Sequence, residues 1–458
     1  MGYSTKGRKP IERASKIAHI EIIKNADVQA YIEQCILPAP PDPASLSLLL
    51  CDAKDIDVSE VTTVIAIDGG YTETFVREEY PSACVAFFTF GPLLFKLSDL
   101  RSLDAKRFIA PEDLQKLKNI ERYTLVLPTK GIRHKDQPSL SATIRKAVYD
   151  FFEQKRGGDD EQLMTSLQWF LFGRWKRTPD DSATVELAHC PFNCGQGPIA
   201  FRHGDATHRP CPACDGPVYL TDVFRLHERV DEETGGSGIA AYVMTMLEQL
   251  VLVHIIHNIL SIKKSLLRQI LFVKDGPLAF FGLVAPLYKP MRELVEHLLS
   301  EPSGPSGPTL RLVGLEKSGA FVEHAANIQD RLRPGSFLVV GNDYIRKYIV
   351  PGGDGSTSYG QNTYYGQKVF FRAKTGEMHV TTVPAKVFTG SPKPQDIPHL
   401  DEILGLVGEL KCSMYDNALI PVALANKLVS LSDFPSQRIL TTFARQIASS
   451  QVSEALQF

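Results

Sequence analysis

The sequence predicts an α/β protein, a mixed sheet core flanked by helices and interrupted by a small zinc-ribbon insertion. Three observations carry this expectation. Short β-branched and aromatic runs bounded by Gly or Pro recur along the chain, among them 61–67, 84–90 and 270–273. Amphipathic or apolar helical stretches alternate with them. Between the two halves lies a segment rich in Cys, Pro and Gly that is too poor in aliphatics to build its own core.

Taken in order, a helix is expected around 26–36, ended by Pro38, Pro40, Pro41 and Pro43. Residues 61–67 (VTTVIAI) form a continuous β-branched run, the profile of a strand buried on both faces, closing in Asp68-Gly69-Gly70. Residues 84–90 and 123–127 read as further strands, and 140–152 and 161–172 as helices. A Gly-rich hinge at 235–238 precedes a long apolar helix over about 239–260. A second buried strand, 270–273, runs into Lys274-Asp275-Gly276-Pro277. Beyond a Ser/Pro/Gly linker at 301–308 come strands at 310–315 and 337–340. A hairpin over 368–373 and 378–383 follows, and then helices at 398–410, 419–430 and 437–448. The domain boundaries expected are 1–180 and 238–458 for the two parts of the core and 185–230 for the insertion.

Composition narrows the function. Of 458 residues, 43% are apolar and 22% charged, which is globular rather than disordered. Fifty Lys+Arg against 52 Asp+Glu leave a formal charge of −2, which excludes a histone-like DNA coat. Any nucleic-acid contact has to come from a local basic groove. The basic segment 1–16 has no apolar stretch behind it, so no secretory signal is expected. The apolar stretch 242–262 contains Glu248, Gln249, His254, His257 and Asn258, costly groups in lipid, and predicts a buried helix rather than a membrane span. Eight cysteines, four of them clustered, fit a cytoplasmic chain better than a disulfide scaffold.

The clustered four are Cys190-x3-Cys194 and Cys211-x2-Cys214. Two such knuckles can bring four thiolates to one tetrahedral Zn²⁺, and the ion then supplies folding energy that the insert lacks. A closed four-Cys site leaves no open coordination position, so its role is structural. His203 and His208 between the knuckles read as exposed loop residues.

Two buried strands deliver an Asp followed by Gly, at Asp68 and Asp275. Taken singly, each Asp-Gly reads as a turn. Together, at neighbouring strand ends, they would make an oxygen-rich pocket suited to Mg²⁺ or Mn²⁺, with Gly69, Gly70 and Gly276 letting a phosphodiester approach. Glu248, aligned at helical spacing with Leu252, Ile255 and Ile259, is either a third metal ligand or a hydrogen-bonded core group.

At these residues the chain resembles the NurA family of nucleases, which work beside HerA-type hexameric translocases. The matching pieces are IAIDGGYTE around Asp68, Glu248 on the helix before the second Asp, LFVKDGPL around Asp275, LVGLEKSG around Lys317, and NALIPVALANKLV around Lys427. The resemblance implies an RNase H-like core and carboxylates holding Mn²⁺ or Mg²⁺. It also implies exo- and endonuclease activity on DNA, a homodimer, docking onto a HerA-like ATPase, and a task in DNA end processing or anti-phage defence. Gly70 stands where the family usually has Ser, and Asn426 where its late motif often has His.

On this reading Asp68, Glu248 and Asp275 bind two metal ions that activate water and neutralise the phosphate, and Lys317 stabilises the charge of the transition state. Arg346, Lys347, Lys368, Arg372 and Lys374 interleave with Tyr344, Tyr348, Tyr359, Tyr364 and Tyr365, the composition of a single-strand grip, with a surface hairpin as the plain alternative. Two other functions fit less of the chain. An actin-like or sugar-kinase ATPase would use Asp68-Gly69-Gly70 as a phosphate loop but lacks a second one. A zinc-ribbon adaptor would bind DNA or protein without catalysis. No P-loop is present, so motor activity has to come from a partner.

Overall fold

The computed structural model describes residues 16–35, 40–104, 122–155, 162–236, 238–300, 310–352, 357–412, 418–432 and 435–455. The basic segment 1–15, the linker 301–308, Ser237 of the hinge and 353–356 of the Gly/Ser/Tyr stretch lie outside the described residues.

The strands are β1 (Leu50–Asp52), β2 (Thr63–Arg77), β3 (Ala83–Lys96), β4 (Tyr123–Lys130), β5 (Thr184–Leu187), β6 (Ile199–Arg202), β7 (His208–Pro210), β8 (Pro217–Tyr219), β9 (Ile270–Asp275), β10 (Arg311–Glu316), β11 (Ser336–Val339), β12 (Gln367–Arg372) and β13 (Met378–Val383). Nine of them make one mixed sheet in the order β1-β11-β12-β13-β10-β9-β2-β3-β4. β2, β3 and β4 form an antiparallel meander. β9 then lies parallel to β2, and β10 parallel to β9. Strands from both ends of the chain therefore share one sheet.

Apolar runs on β2, β9 and β10 follow from burial on both faces. Ile65, Ile67 and Phe272 point into a core shared with the helices Leu140–Glu153, Leu163–Leu171, Ile239–Lys263 and Tyr288–Ser300. Val64, Ala66, Leu271 and Val273 point the other way, against Leu400–Glu409 and Ile420–Val429. A third cluster packs β11 and β12 against Ala320–Ile328 and Asn342–Tyr348. The Ile239–Lys263 helix, long and apolar enough to span a bilayer, has 78% of its most apolar window buried in this core.

One boundary differs in a way that matters. β2 does not stop at Asp68-Gly69-Gly70 but runs on to Arg77. Its parallel pairing with β9 ends at Ile67↔Lys274, yet β3 continues to pair with it, through Asp68↔Gly91 and Gly70↔Thr89. Asp68 thus sits where the sheet loses one neighbour, not at a strand tip.

The insertion comprises two small antiparallel pairs, β5–β6 and β7–β8. Its Ile199, Phe201, Val218 and Phe224 belong to the same cluster as Ile144 and Leu250, so it leans on the main core. Arg145 ties it down, donating through Nε and Nη2 to the two Asp222 oxygens at 2.7 Å each and from Nη2 to the Pro217 carbonyl at 2.7 Å.

One buried and one half-buried group set part of the acid sensitivity. His379 is 1% exposed with neither ring nitrogen hydrogen-bonded, and burial, opposed by Glu377, pulls its pKa from 6.5 to about 4. Burial would raise Glu402, but His399 and Arg311 outweigh it and hold the carboxyl at about 2. Both folded values are depressed, so each contribution is full above the unfolded value and is lost as pH falls toward the folded one. Replacing His379 by Phe is expected to gain stability relative to the parent as pH drops from 6.5 to 4. Urea melts of both proteins across that range check it, and parallel curves would refute it.

Candidate active site and zinc centre

β2 and β9 carry Asp68 and Asp275 side by side, each one residue past the pair Ile67↔Lys274. Strand alternation turns both side chains toward the face covered by Ile420–Val429, where Ala66 and Val273 also point. Asp68 is 2% exposed. Its Oδ1 accepts the Gly69 N–H at 2.8 Å, while Oδ2 is buried without a hydrogen-bond partner. Burial pushes its pKa up to about 8; the charges of Asp275 and Glu248 add to this, and Lys317 and the Gly69 N–H oppose it. Asp275 Oδ2 accepts from Lys317 Nζ at 2.9 Å, in a pair that remains partly open to solvent.

Glu248 reaches the same neighbourhood from the other face of the sheet. Its side chain is 12% exposed, and burial, offset by Lys274, raises it to about 6. Lys274, 2% exposed and absent from the expected site, donates to Glu248 Oε2 at 3.1 Å and to the Asp275 carbonyl at 2.5 Å. Its cue was present: a lysine inside a strand buried on both faces needs a counter-charge.

The structure therefore brings Asp68, Asp275, Glu248 and Lys317 together. The donor set is all hard oxygen, and an orphaned, desolvated carboxylate oxygen at Asp68 is the feature a divalent cation would satisfy. The carboxylates do not form a ready-made cage, since among the described residues only the cysteine quartet has donor atoms all within 4.8 Å of one another.

The glycines play a different part from the one expected. A Cβ on Gly69 would collide with the Met244 side chain, and one on Gly70 with the Val429 carbonyl. Both positions are filled by protein packing rather than kept open for a phosphodiester, which is also why no Ser fits at position 70. Gly276, at φ +80°, makes the left-handed turn after Asp275. Asn426 is exposed on the helix covering this face.

The expected basic, aromatic groove is not assembled. Tyr344, Tyr348, Tyr364 and Tyr365 are buried, because their rings complete the core beside β12. Lys368 is 4% exposed, paired with Glu316, with Nζ 4.2 Å from the Phe321 ring centroid and 4.7 Å from that of Tyr364. Arg372 donates to the Gln329, Leu332 and Gly376 carbonyls, and Lys374 bonds Asp55. Of the five, Arg346 is half-buried beside Tyr359, and Lys347 and Lys374 are exposed. Lys368→Ala is expected to cost about 3–5 kcal/mol of stability by stranding the Glu316 charge, and to leave the salt dependence of DNA binding unchanged. A shallower salt slope in a still-folded variant would restore the phosphate role.

The four cysteines meet as their spacing requires. Sγ atoms of Cys190 and Cys214 lie 3.8 Å apart, and those of Cys194 and Cys211 3.7 Å. A tetrahedral ion with Zn–S bonds of about 2.3 Å has S···S edges of about 3.8 Å. Left-handed Asn193 and Asp215 turn the two knuckles. Backbone N–H groups, Ala213 first, lower the Cys211 thiol to about 7, whereas burial pushes Cys190 up to about 12, a cost that a cation offsets. His203 and His208 are exposed, as expected.

No protein-family model and no curated protein matches the sequence. Among solved structures, the crystal structure of the NurA nuclease from Sulfolobus solfataricus aligns at TM-score 0.35 and 10% identity, over 96% of this chain and 98% of that one. A crystal structure of NurA with manganese aligns at TM-score 0.24 and 9% identity, over 93% and 94%. Likeness at this level bears no weight for what this chain does.

Proposed function

We propose that the chain is a DNA nuclease hydrolysing phosphodiester bonds with the help of Mn²⁺ or Mg²⁺. The observation that carries this reading is the buried Asp68 carboxylate, one oxygen of which has no hydrogen-bond partner, beside Asp275 on adjacent parallel strands. The five-strand block β4-β3-β2-β9-β10, a meander continued by two parallel strands, supports an RNase H-like core. Asp68 and Asp275 would hold the cation, which when bound acidifies water and neutralises phosphate charge. Lys317, partly exposed beside Asp275, is the group able to turn onto a phosphate oxygen and hold its developing charge. The cysteine quartet holds structural Zn²⁺.

The test is incubation of the purified chain with linear single- and double-stranded DNA plus Mn²⁺, with and without EDTA. Cleavage only in the Mn²⁺ arm is expected. DNA binding without cleavage would favour the zinc-ribbon adaptor instead. The same reading includes a cytoplasmic homodimer that engages a HerA-like hexameric ATPase in DNA end processing or anti-phage defence. Co-elution of the chain with such an ATPase, at a mass twice that of the chain when alone, checks the partnership.

A further inference from the structure

We infer that Lys274 takes the place of a second metal ion, so that the site accepts a single divalent cation on Asp68 and Asp275 while Glu248 is held by the Lys274 ammonium. This rests on the nuclease reading and replaces the two-ion expectation drawn from the sequence. Strand alternation separates the groups. Asp68 and Asp275 project to one face, whereas Lys274 shares the other face with Phe272 and meets Glu248 on the Ile239–Lys263 helix. The ammonium is 2% exposed and spends two of its three donors, on Glu248 Oε2 and on the Asp275 carbonyl. Pulling it off Glu248 to admit a cation would leave a buried ammonium without its counter-charge, a cost that opposes a second ion there.

Charge balance points the same way. With all three carboxylates ionised, as a bound cation requires, they face two ammonium groups, Lys274 and Lys317, and leave one negative charge. One dication turns this into a single positive charge, matched to a phosphodiester. Two dications would leave a strongly cationic pocket with Lys274 still inside it. Lys274 also joins Glu248 to the β9 backbone at the Asp275 carbonyl.

The experiment is a titration of the zinc-loaded full chain with Mn²⁺, read by electron paramagnetic resonance as bound ions per chain, with no DNA present. One Mn²⁺ is expected in the parent, and none in Asp68→Asn. Glu248→Gln is expected to keep one ion, bound more weakly because the Lys274 ammonium is then uncompensated, but not lost. Lys274→Met uncovers Glu248 and is expected to bind a second ion. If this variant fails to fold, the parent count and Glu248→Gln still decide. Two ions in the parent, or loss of the ion in Glu248→Gln, overturns the inference and leaves the nuclease reading standing. No ion in the parent overturns the nuclease reading itself.

Discussion

Asp68→Asn is expected to abolish Mn²⁺-dependent cleavage and, measured in EDTA, to melt higher than the parent. Activity should fall by at least about 10²–10³-fold, the scale of losing one preorganised electrostatic contact in a water-poor site. The stability gain has a separate cause. The parent carboxyl is 2% exposed, has one oxygen without a donor, and lies near two other carboxylates. Asparagine keeps the shape, removes the charge, and offers an amide N–H to the neighbouring acids. A gain of about 0.5–2 kcal/mol is the size usual when a strained functional group is neutralised. Asp275→Asn should lose activity without the gain, because its charge is answered by Lys317 and is partly open to water. Thermal melts and cleavage assays on the two variants form the check. An Asp68→Asn protein that is active, or clearly less stable, would remove the functional interpretation of the site.

Zinc removal is expected to have the largest effect on stability. Structural zinc contributes about 10–16 kcal/mol in isolated peptides, comparable with the roughly 5–15 kcal/mol of a whole domain. Here the consequence reaches beyond the insertion, since Ile199, Phe201, Val218 and Phe224 are part of the large core that includes Leu250 and Phe272. Loosening them exposes one side of that core and frees the buried Arg145–Asp222 pair. Purified protein should carry one zinc per chain, and Cys211→Ser should lose it and melt far below the parent. A metal-free preparation that melts like the parent would end the zinc assignment.

Much of the architecture was legible locally. Residues 64–67 and 270–273 read as strands buried on both sides, because their short β-branched and apolar runs have no polar alternation to expose. The knuckle spacing at Cys190, Cys194, Cys211 and Cys214 was readable because chain segments of those lengths can bring four thiols to one point. Asp68 and Asp275 were recognisable as a pair from their shared strand context. The tyrosines after Asn342 misled, since an aromatic beside a cation looks the same in sequence whether its ring stacks on a base or fills a core.

What the chain alone determined is therefore the set of elements, the clustering of four cysteines and the identity of the two aspartates. The fold decided what each charge meets. That Lys274 answers Glu248, that Lys368 is spent on Glu316, and that Val429 closes the space at Gly70 depend on which distant segments become neighbours. Sheet order sets those neighbours, and the pairing of buried charges follows from it because a desolvated ion must take whatever opposite charge the packing supplies.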